Sequence, residues 1–178
     1  IQRYLKYLAS KAQNHILSQG LGDWYDLGPN PPGVSQLTPM GVTGTAIYYY
    51  DLQIAEKIAK ILGHGDDAQE YAGIAEEVKK SFNQTFYQSE TQQYASGSQT
   101  ANAMALFMNL VEPENRKAVL QHLIDDIQTF EIIYLKTDAN NVKYIILQSK
   151  QSKEPLLISN HFRNLKIVET PYSKKIYF

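Results

Sequence analysis

Two stretches of this chain, residues 37–50 and 98–111, contain no charged side chain, while the segments around them carry charges at helical spacing. A helix that is apolar around its whole circumference has to be buried all round, whereas one with a charged stripe can lie at a surface. Apolar positions at Tyr4, Leu5, Leu8, Ala12, Ile16 and Leu17 predict a helix over 1–18, ended by Gly20. Thr38 before Pro39 predicts an N-cap and a first-turn proline for a second helix, 39–62, with Ile47, Tyr50, Ile54, Ile58, Ile61 and Leu62 in register. Gly63-His64-Gly65 breaks it, and Asp66 or Asp67 is the expected cap of a third helix, 67–86. Ser98 opens a fourth over 98–111, and Pro113 a fifth that runs to 128. Two inner helices (39–62 and 98–111) thus alternate with three outer ones (1–18, 67–86 and 113–128). The expected class is all-α, a two-layer α/α toroid in which helical hairpins circle an axis. Gly41, Gly44, Ala46, Ala101, Ala103 and Ala105 would allow close packing near that axis.

The connections then carry the functional reading. Loop 19–37 opens with Gly20-Leu21-Gly22-Asp23-Trp24-Tyr25-Asp26-Leu27-Gly28-Pro29, which sets the chain's one Trp between two carboxylates. Long ordered loops in compact domains usually carry function. An aromatic face beside carboxylates suits a sugar, because the ring stacks on C–H groups while the carboxylates accept from hydroxyls. The same loop also fits a Trp that anchors a connection, with both Asp residues capping turns; for Asp26 the turn role weighs more. Loops 19–37 and 87–97 both lead into N-termini of inner helices, so both lie at one end of the toroid. Helix N-termini present free N–H groups and a positive dipole end there. Asp23, Trp24, Asp26, Gln99, Thr100 and Asn102 are expected to converge on that mouth.

GLGDWYDLGP, then QLTPMGVTGTAIYYYDLQIAEKIAKILG, then SQTANAMALFMNLV, in that order, resemble the six-hairpin barrel domain of bacterial α-L-rhamnosidases. The resemblance covers residues 1 to about 127. It implies a partial (α/α)6 toroid, a family that hydrolyses terminal α-L-rhamnosides with inversion, no redox or nucleotide cofactor, and a rhamnose-containing glycoside as partner. It also implies that Asp23 and Trp24 line the rhamnose subsite. Inverting hydrolysis needs a carboxylic acid and a carboxylate base roughly 6.5–9.5 Å apart. In the family the acid sits in an Asp/Glu/Arg-rich motif before the Gly-Asp-Trp loop and the base lies far after it. Neither motif is found within this sequence, so no residue is assigned a catalytic role and the chain is expected to be inactive alone. Asp23 and Asp26 make no acid/base pair of their own, since nothing near them separates their protonation behaviour.

At 178 residues the chain can bury one domain's core. A net charge of −1 suggests neither a nucleic-acid nor an anionic-membrane partner. With no Cys, disulfides and thiolate metal sites are excluded, and the four His show no metal spacing. No apolar run is long enough to span a bilayer as a helix, and there is no phosphate loop, nucleophile elbow or dinucleotide fingerprint. Asn83-Gln84-Thr85 matches a glycosylation sequon but falls on an expected helix. The chain starts at Ile1 inside a helical pattern, which is expected of a fragment or processed product and leaves localisation unreadable.

Residues 1–128 carry a net −5 and residues 129–178 a net +4, which places a candidate boundary at 128/129. The second segment holds β-rich runs at Glu131–Leu135 and Val142–Leu147, joined by Asp138-Ala139-Asn140-Asn141, with further short runs at Ile167–Val168 and Lys175–Phe178. It reads either as non-homologous sequence from a frameshift or truncation, or as a β appendage. Inner helices left uncovered by an incomplete ring predict self-association. The alternative function is that of a helical-repeat protein-interaction scaffold, resting on the tetratricopeptide-like hairpin at 45–86. That reading requires further units of constant period, and loop 19–37 breaks the period.

Overall fold

The computed structural model describes residues 1–24, 26, 33–136, 142–149, 166–169 and 174–177. Its helices are α1 (Gln2–Lys11), α2 (Met40–Ile61), α3 (Gly65–Phe86), α4 (Gln99–Phe107) and α5 (Arg116–Thr129). A short hairpin, β1 (Tyr87–Gln88) and β2 (Gln93–Tyr94), leads into α4. Strands β3 (Phe130–Lys136), β4 (Val142–Ser149), β5 (Lys166–Glu169) and β6 (Lys174–Tyr177) follow α5.

Helices α2 and α3 form a long antiparallel hairpin. Gly63, at φ +76°, supplies the left-handed turn, and the amide of His64 returns to the carbonyl of Ala59 at 2.9 Å. On α3 the buried residues Ala68, Ala75, Val78, Phe82 and Phe86 form one stripe, the mark of an outer helix. They meet Val42, Ala46, Tyr49 and Leu52 of α2, and the core continues through Tyr94, Ala101, Ala105, Leu110 and Val119. Phe82 packs edge-on against Phe86 at 5.1 Å and tilted against Tyr94 at 5.5 Å between ring centroids. The expected layering holds, with α2 and α4 inside and α3 outside. Burial all round does not hold for α2: Ile47, Tyr50 and Ile54 lie exposed on the face opposite its core contacts. Phe107 at the end of α4 is 78% exposed and its ring lies 6.5 Å from that of Tyr50. Together they form an apolar face that the described residues leave partly open.

Several expected boundaries move. Helix α1 stops at Lys11 rather than running to 18, because Asn14 and His15 adopt φ +48° and +65°. Gln13 and Ile16 exchange backbone hydrogen bonds of 2.9 Å across them, a two-residue primed turn. That turn lays Leu17 against α2, where its amide donates to Thr45 Oγ1 at 2.9 Å. A Cβ on Gly44 would stand 2.3 Å from the Leu17 carbonyl, and one on Gly41 would stand 2.8 Å from the Phe86 ring. The two glycines therefore admit the crossing chain and the outer helix rather than neighbours across an axis. Thr38 does not cap α2; Pro39 takes the N-cap position, without a side-chain bond. Asp66 and Asp67 lie inside the first turn of α3 behind His64, and Asp67 accepts from Gln2 Nε2 at 3.1 Å, which pins the start of α1.

Ser98 does cap α4, accepting from the amide of Ala101. The helix ends at Phe107 because Asn109, at φ +62°, turns the chain, and the amide of Leu110 closes back on Ala105 at 2.9 Å. Pro113 begins a hydrogen-bonded turn, and α5 starts only at Arg116, whose guanidinium donates to the Leu106 carbonyl. Beyond α5, β3 and β4 pair antiparallel from Phe130↔Ser149, with a bulge at Leu135/Lys136, and β5 pairs antiparallel with β6. The expected turn at 138–141 lies outside the described residues.

Candidate functional site

Loop 19–37 is closed at its neck by backbone geometry. Gly22 has φ +71°, and a Cβ there would lie 2.5 Å from Cβ of Ser35, so only glycine lets the two strands of the neck meet. The amide of Ser35 donates to the Leu21 carbonyl at 3.3 Å. Asp26 clamps the returning strand. Its Oδ2 accepts from the amides of Gln36 (2.8 Å) and Leu37 (2.6 Å) and lies 3.3 Å from Ser35 Oγ. Ser35 Oγ also donates to the Thr38 carbonyl. The turn role weighed for Asp26 is thus present, while its other oxygen, Oδ1, is buried without a hydrogen-bond partner.

Asp23 reaches the other way, toward the inner helices. Thr38 Oγ1 lies 3.3 Å from Asp23 Oδ2 and 2.7 Å from Ser98 Oγ, and Ser98 Oγ accepts from the amide of Ala101 at 3.2 Å. Thr38 is 1% exposed. The structure therefore brings the loop, the residue before α2 and the cap of α4 to one point, which puts both inner-helix N-termini at the same end. Trp24, next to Asp23, is 52% exposed.

The other expected lining residues divide. Gln99 is exposed and Thr100 half-buried in the first turn of α4. Asn102 does not face an open mouth. It is 1% exposed: its Oδ1 accepts from the Tyr94 amide at 3.0 Å, and its Nδ2 donates to Gln93 Oε1 and the Gly97 carbonyl. It holds the β1–β2 hairpin against α4. Sequence reasoning missed a second polar centre. Asn83 Nδ2 donates to the carbonyls of Lys79 (3.0 Å) and Leu110 (2.8 Å), and its Oδ1 accepts from Tyr94 Oη at 2.5 Å. The sequon residue is thus fully engaged inside the fold. The signal was available, since Asn83 lies on the flank of the Val78-Phe82-Phe86 stripe.

Burial pushes the phenol of Tyr94 well above its ordinary value, with smaller contributions from the charge of Glu112 and from Tyr87. Tyr48 and Tyr49 are also raised by burial, and neither reaches an open axis, being 2% and 3% exposed. Burial likewise raises Asp51 on α2. Among the described residues no group of three or more His, Cys, Asp or Glu could hold a metal ion.

The sequence model described as the bacterial alpha-L-rhamnosidase 6 hairpin glycosidase domain matches residues 1–137. An alpha-L-rhamnosidase of Streptomyces avermitilis is 30% identical over 125 residues, covering 70% of this chain and 11% of that protein. One from Formosa agariphila is 30% identical over 159 residues, covering 84% of this chain and 16% of that protein. Among solved structures, the alpha-L-rhamnosidase of Dictyoglumus thermophilum superposes with a TM-score of 0.64 at 32% identity, covering 71% of this chain and 14% of that one. The Streptomyces avermitilis enzyme complexed with L-rhamnose gives 0.61 at 27% identity, covering 71% and 11%. The chain spans between about a tenth and a sixth of the length of the curated relatives it matches. The match runs across residues 45–86, on which the helical-repeat alternative rested, and assigns the hairpins to a partial six-hairpin toroid. The chain belongs to the bacterial α-L-rhamnosidase six-hairpin glycosidase family.

Proposed function

We propose that residues 1–128 are a section of an inverting α-L-rhamnosidase barrel whose loop 19–37 contributes a rhamnose subsite, and that this chain alone binds the sugar without hydrolysing it. The observation that carries the reading is the half-exposed Trp24 beside Asp23, fixed at the N-termini of both inner helices. A carboxylate accepts sugar hydroxyls, and the indole face takes the C–H surface. A solved relative carries L-rhamnose, which makes that sugar the first ligand to test. Gln99 and Thr100 remain candidates for the rim, and Asp26 serves the loop.

Hydrolysis needs more than this. Positioned proton transfer typically contributes about 10²–10⁴-fold, and the two carboxylates of loop 19–37 are engaged elsewhere, Asp26 with the amides of residues 36 and 37 and Asp23 with Thr38. Binding without preferential stabilisation of the transition state does not accelerate the reaction. The chain should therefore show no turnover of an aryl α-L-rhamnoside, the substrate least dependent on acid help, and weak rhamnose binding that Trp24→Ala abolishes. Turnover above the buffer rate that vanishes in Asp23→Asn would refute the inactive reading.

The exposed apolar face of Ile47, Tyr50, Ile54 and Phe107 supports the further proposal that this chain self-associates. Contiguous apolar patches beyond a few hundred Å² seldom stay open on monomers. Residues 129–178 are proposed to be a β appendage, supported by strands that pair with one another directly after α5.

A further inference from the structure

We infer that Thr38 and Ser98 are positioning residues for the sugar site, forming a one-way hydrogen-bond relay that orients Asp23 from the N-terminus of α4. The inference rests on the rhamnose-binding reading of loop 19–37 and adds what holds its carboxylate in place.

The direction of the relay follows from counting hydrogens. Each hydroxyl has one hydrogen and can accept, while an ionised carboxylate only accepts. Asp23 Oδ2, 3.3 Å from Thr38 Oγ1, can engage that hydroxyl only as acceptor, so the hydrogen of Thr38 points to Asp23. Thr38 Oγ1 must then accept across its 2.7 Å contact with Ser98, so Ser98 Oγ donates. Ser98 Oγ in turn accepts from the amide of Ala101 at 3.2 Å, one of the free N–H groups of the first turn of α4. The order runs Ala101 N–H to Ser98, Ser98 to Thr38, Thr38 to Asp23. Every hydrogen has one destination, and the chain of dipoles ends at a carboxylate on the positive end of a helix.

Burial makes the arrangement selective. Thr38 is 1% exposed, so water does not readily replace Ser98 as the donor to its hydroxyl. The 3.3 Å contact to Asp23 is the long step, and a short sugar contact at the free side of the carboxylate would draw on the same relay. Loop 19–37 and α4 are separated by the whole α2–α3 hairpin in sequence, and this relay is a side-chain link between them. It explains a buried threonine directly before Pro39 that does not cap its own helix.

Three variants separate orientation from packing. Thr38→Val keeps the shape and removes the hydroxyl, whereas Thr38→Ser keeps the hydroxyl and removes the methyl. Ser98→Asp keeps a good helix cap but only accepts, so it turns the Thr38 hydrogen away from Asp23. The full chain is titrated with L-rhamnose by the fluorescence of Trp24, the sole tryptophan, and amide hydrogen exchange is read at residues 22–24 without ligand. A hydrogen bond to a charged group carries a factor on the order of ten or more in an equilibrium. Thr38→Val and Ser98→Asp should therefore weaken rhamnose binding about tenfold and speed exchange at 22–24 about tenfold. Thr38→Ser should restore both to within about twofold, and exchange in α3 should stay unchanged throughout. If Thr38→Ser disrupts the loop as much as Thr38→Val, Thr38 acts by packing and the relay is refuted. Wild-type exchange rates in Ser98→Asp would refute it as well. Failure of the wild-type chain to bind rhamnose would instead remove the sugar-site reading, and the exchange rates would still decide whether Thr38 and Ser98 hold Asp23.

Discussion

Replacing Gly44 with alanine sets two effects of opposite sign against each other. Within a helix the change gains about 1 kcal/mol from propensity alone. Here, however, the new Cβ would stand 2.3 Å from the Leu17 carbonyl oxygen and 3.2 Å from that of Gln19, both backbone atoms. The crossing segment would have to retreat by about 1 Å to reach ordinary contact. That movement draws Leu17, 6% exposed, from the core and stretches the 2.9 Å bond from its amide to Thr45 Oγ1. Overpacking of this kind costs about 1–3 kcal/mol, and loss of a buried hydrogen bond about 1 kcal/mol more. The net expectation is a destabilisation of about 1–3 kcal/mol after the propensity gain. Gly73→Ala is the control: it sits in the exposed middle of α3 with nothing within 4 Å of its Cβ, so it should stabilise by about 1 kcal/mol. Urea unfolding followed by helical circular dichroism gives both values. If Gly44→Ala proves as stabilising as Gly73→Ala, the close crossing of Leu17 over α2 is wrong.

Ala95 is held at φ +49°, a region that costs a residue with a Cβ about 1–2 kcal/mol. Ala95→Gly should therefore stabilise by about 0.5–1 kcal/mol after the added freedom of the unfolded chain, and an unchanged urea midpoint would count against that strain. Tyr94 sets an alkaline limit. Its folded-state pKa lies above the free value of 10.0, so its contribution is intact below about pH 10 and is lost as pH rises and the unfolded state ionises first. Urea midpoints on the alkaline side should fall with pH, less steeply in Tyr94→Phe; an equal slope in the variant would show that Tyr94 is not the source. Ile54→Lys places a charge in the exposed α2 face and should lower self-association in sedimentation while leaving helix content unchanged, and undiminished association would move the interface elsewhere.

What the sequence made legible was whatever local chemistry alone decides. The 3.6-residue period locates α2, α3 and α4, and Ser98 marks the start of α4, where the structure adds that its hydroxyl is the cap. Glycine and proline marked loop 19–37. The failures share one cause, which is that a tertiary partner outweighed the local signal. Ile16 and Leu17 continue the apolar spacing of α1, yet they pack on α2 from beyond a primed turn that Asn14 and His15 tolerate. Thr38 before Pro39 has the local signature of a cap, but its hydroxyl is taken by Ser98, 60 residues away. Asn102 resembles a mouth residue by position, and only the fold reveals that the amide of Tyr94 claims it. Such pairings cannot be read from one chain's spacing, because either partner alone is consistent with several roles.

The two faces of α2 separate the contacts that hold the neck of loop 19–37 from the uncovered part of the partial ring. Its core face, through Val42, Ala46, Tyr49 and Leu52, is satisfied by α3 and the elements beside it. The described ends of the loop are joined by bonds that need no further hairpin: the Asp26 clamp on residues 36 and 37, the Gly22–Ser35 neck, and the path from Thr38 to Ser98. The opposite face, with Ile47, Tyr50 and Ile54, contributes none of these contacts. The bonds at residues 22–26 and 33–38 and the uncovered face of α2 thus involve different residues, so the contacts around Asp23 and Asp26 form without any partner on that face.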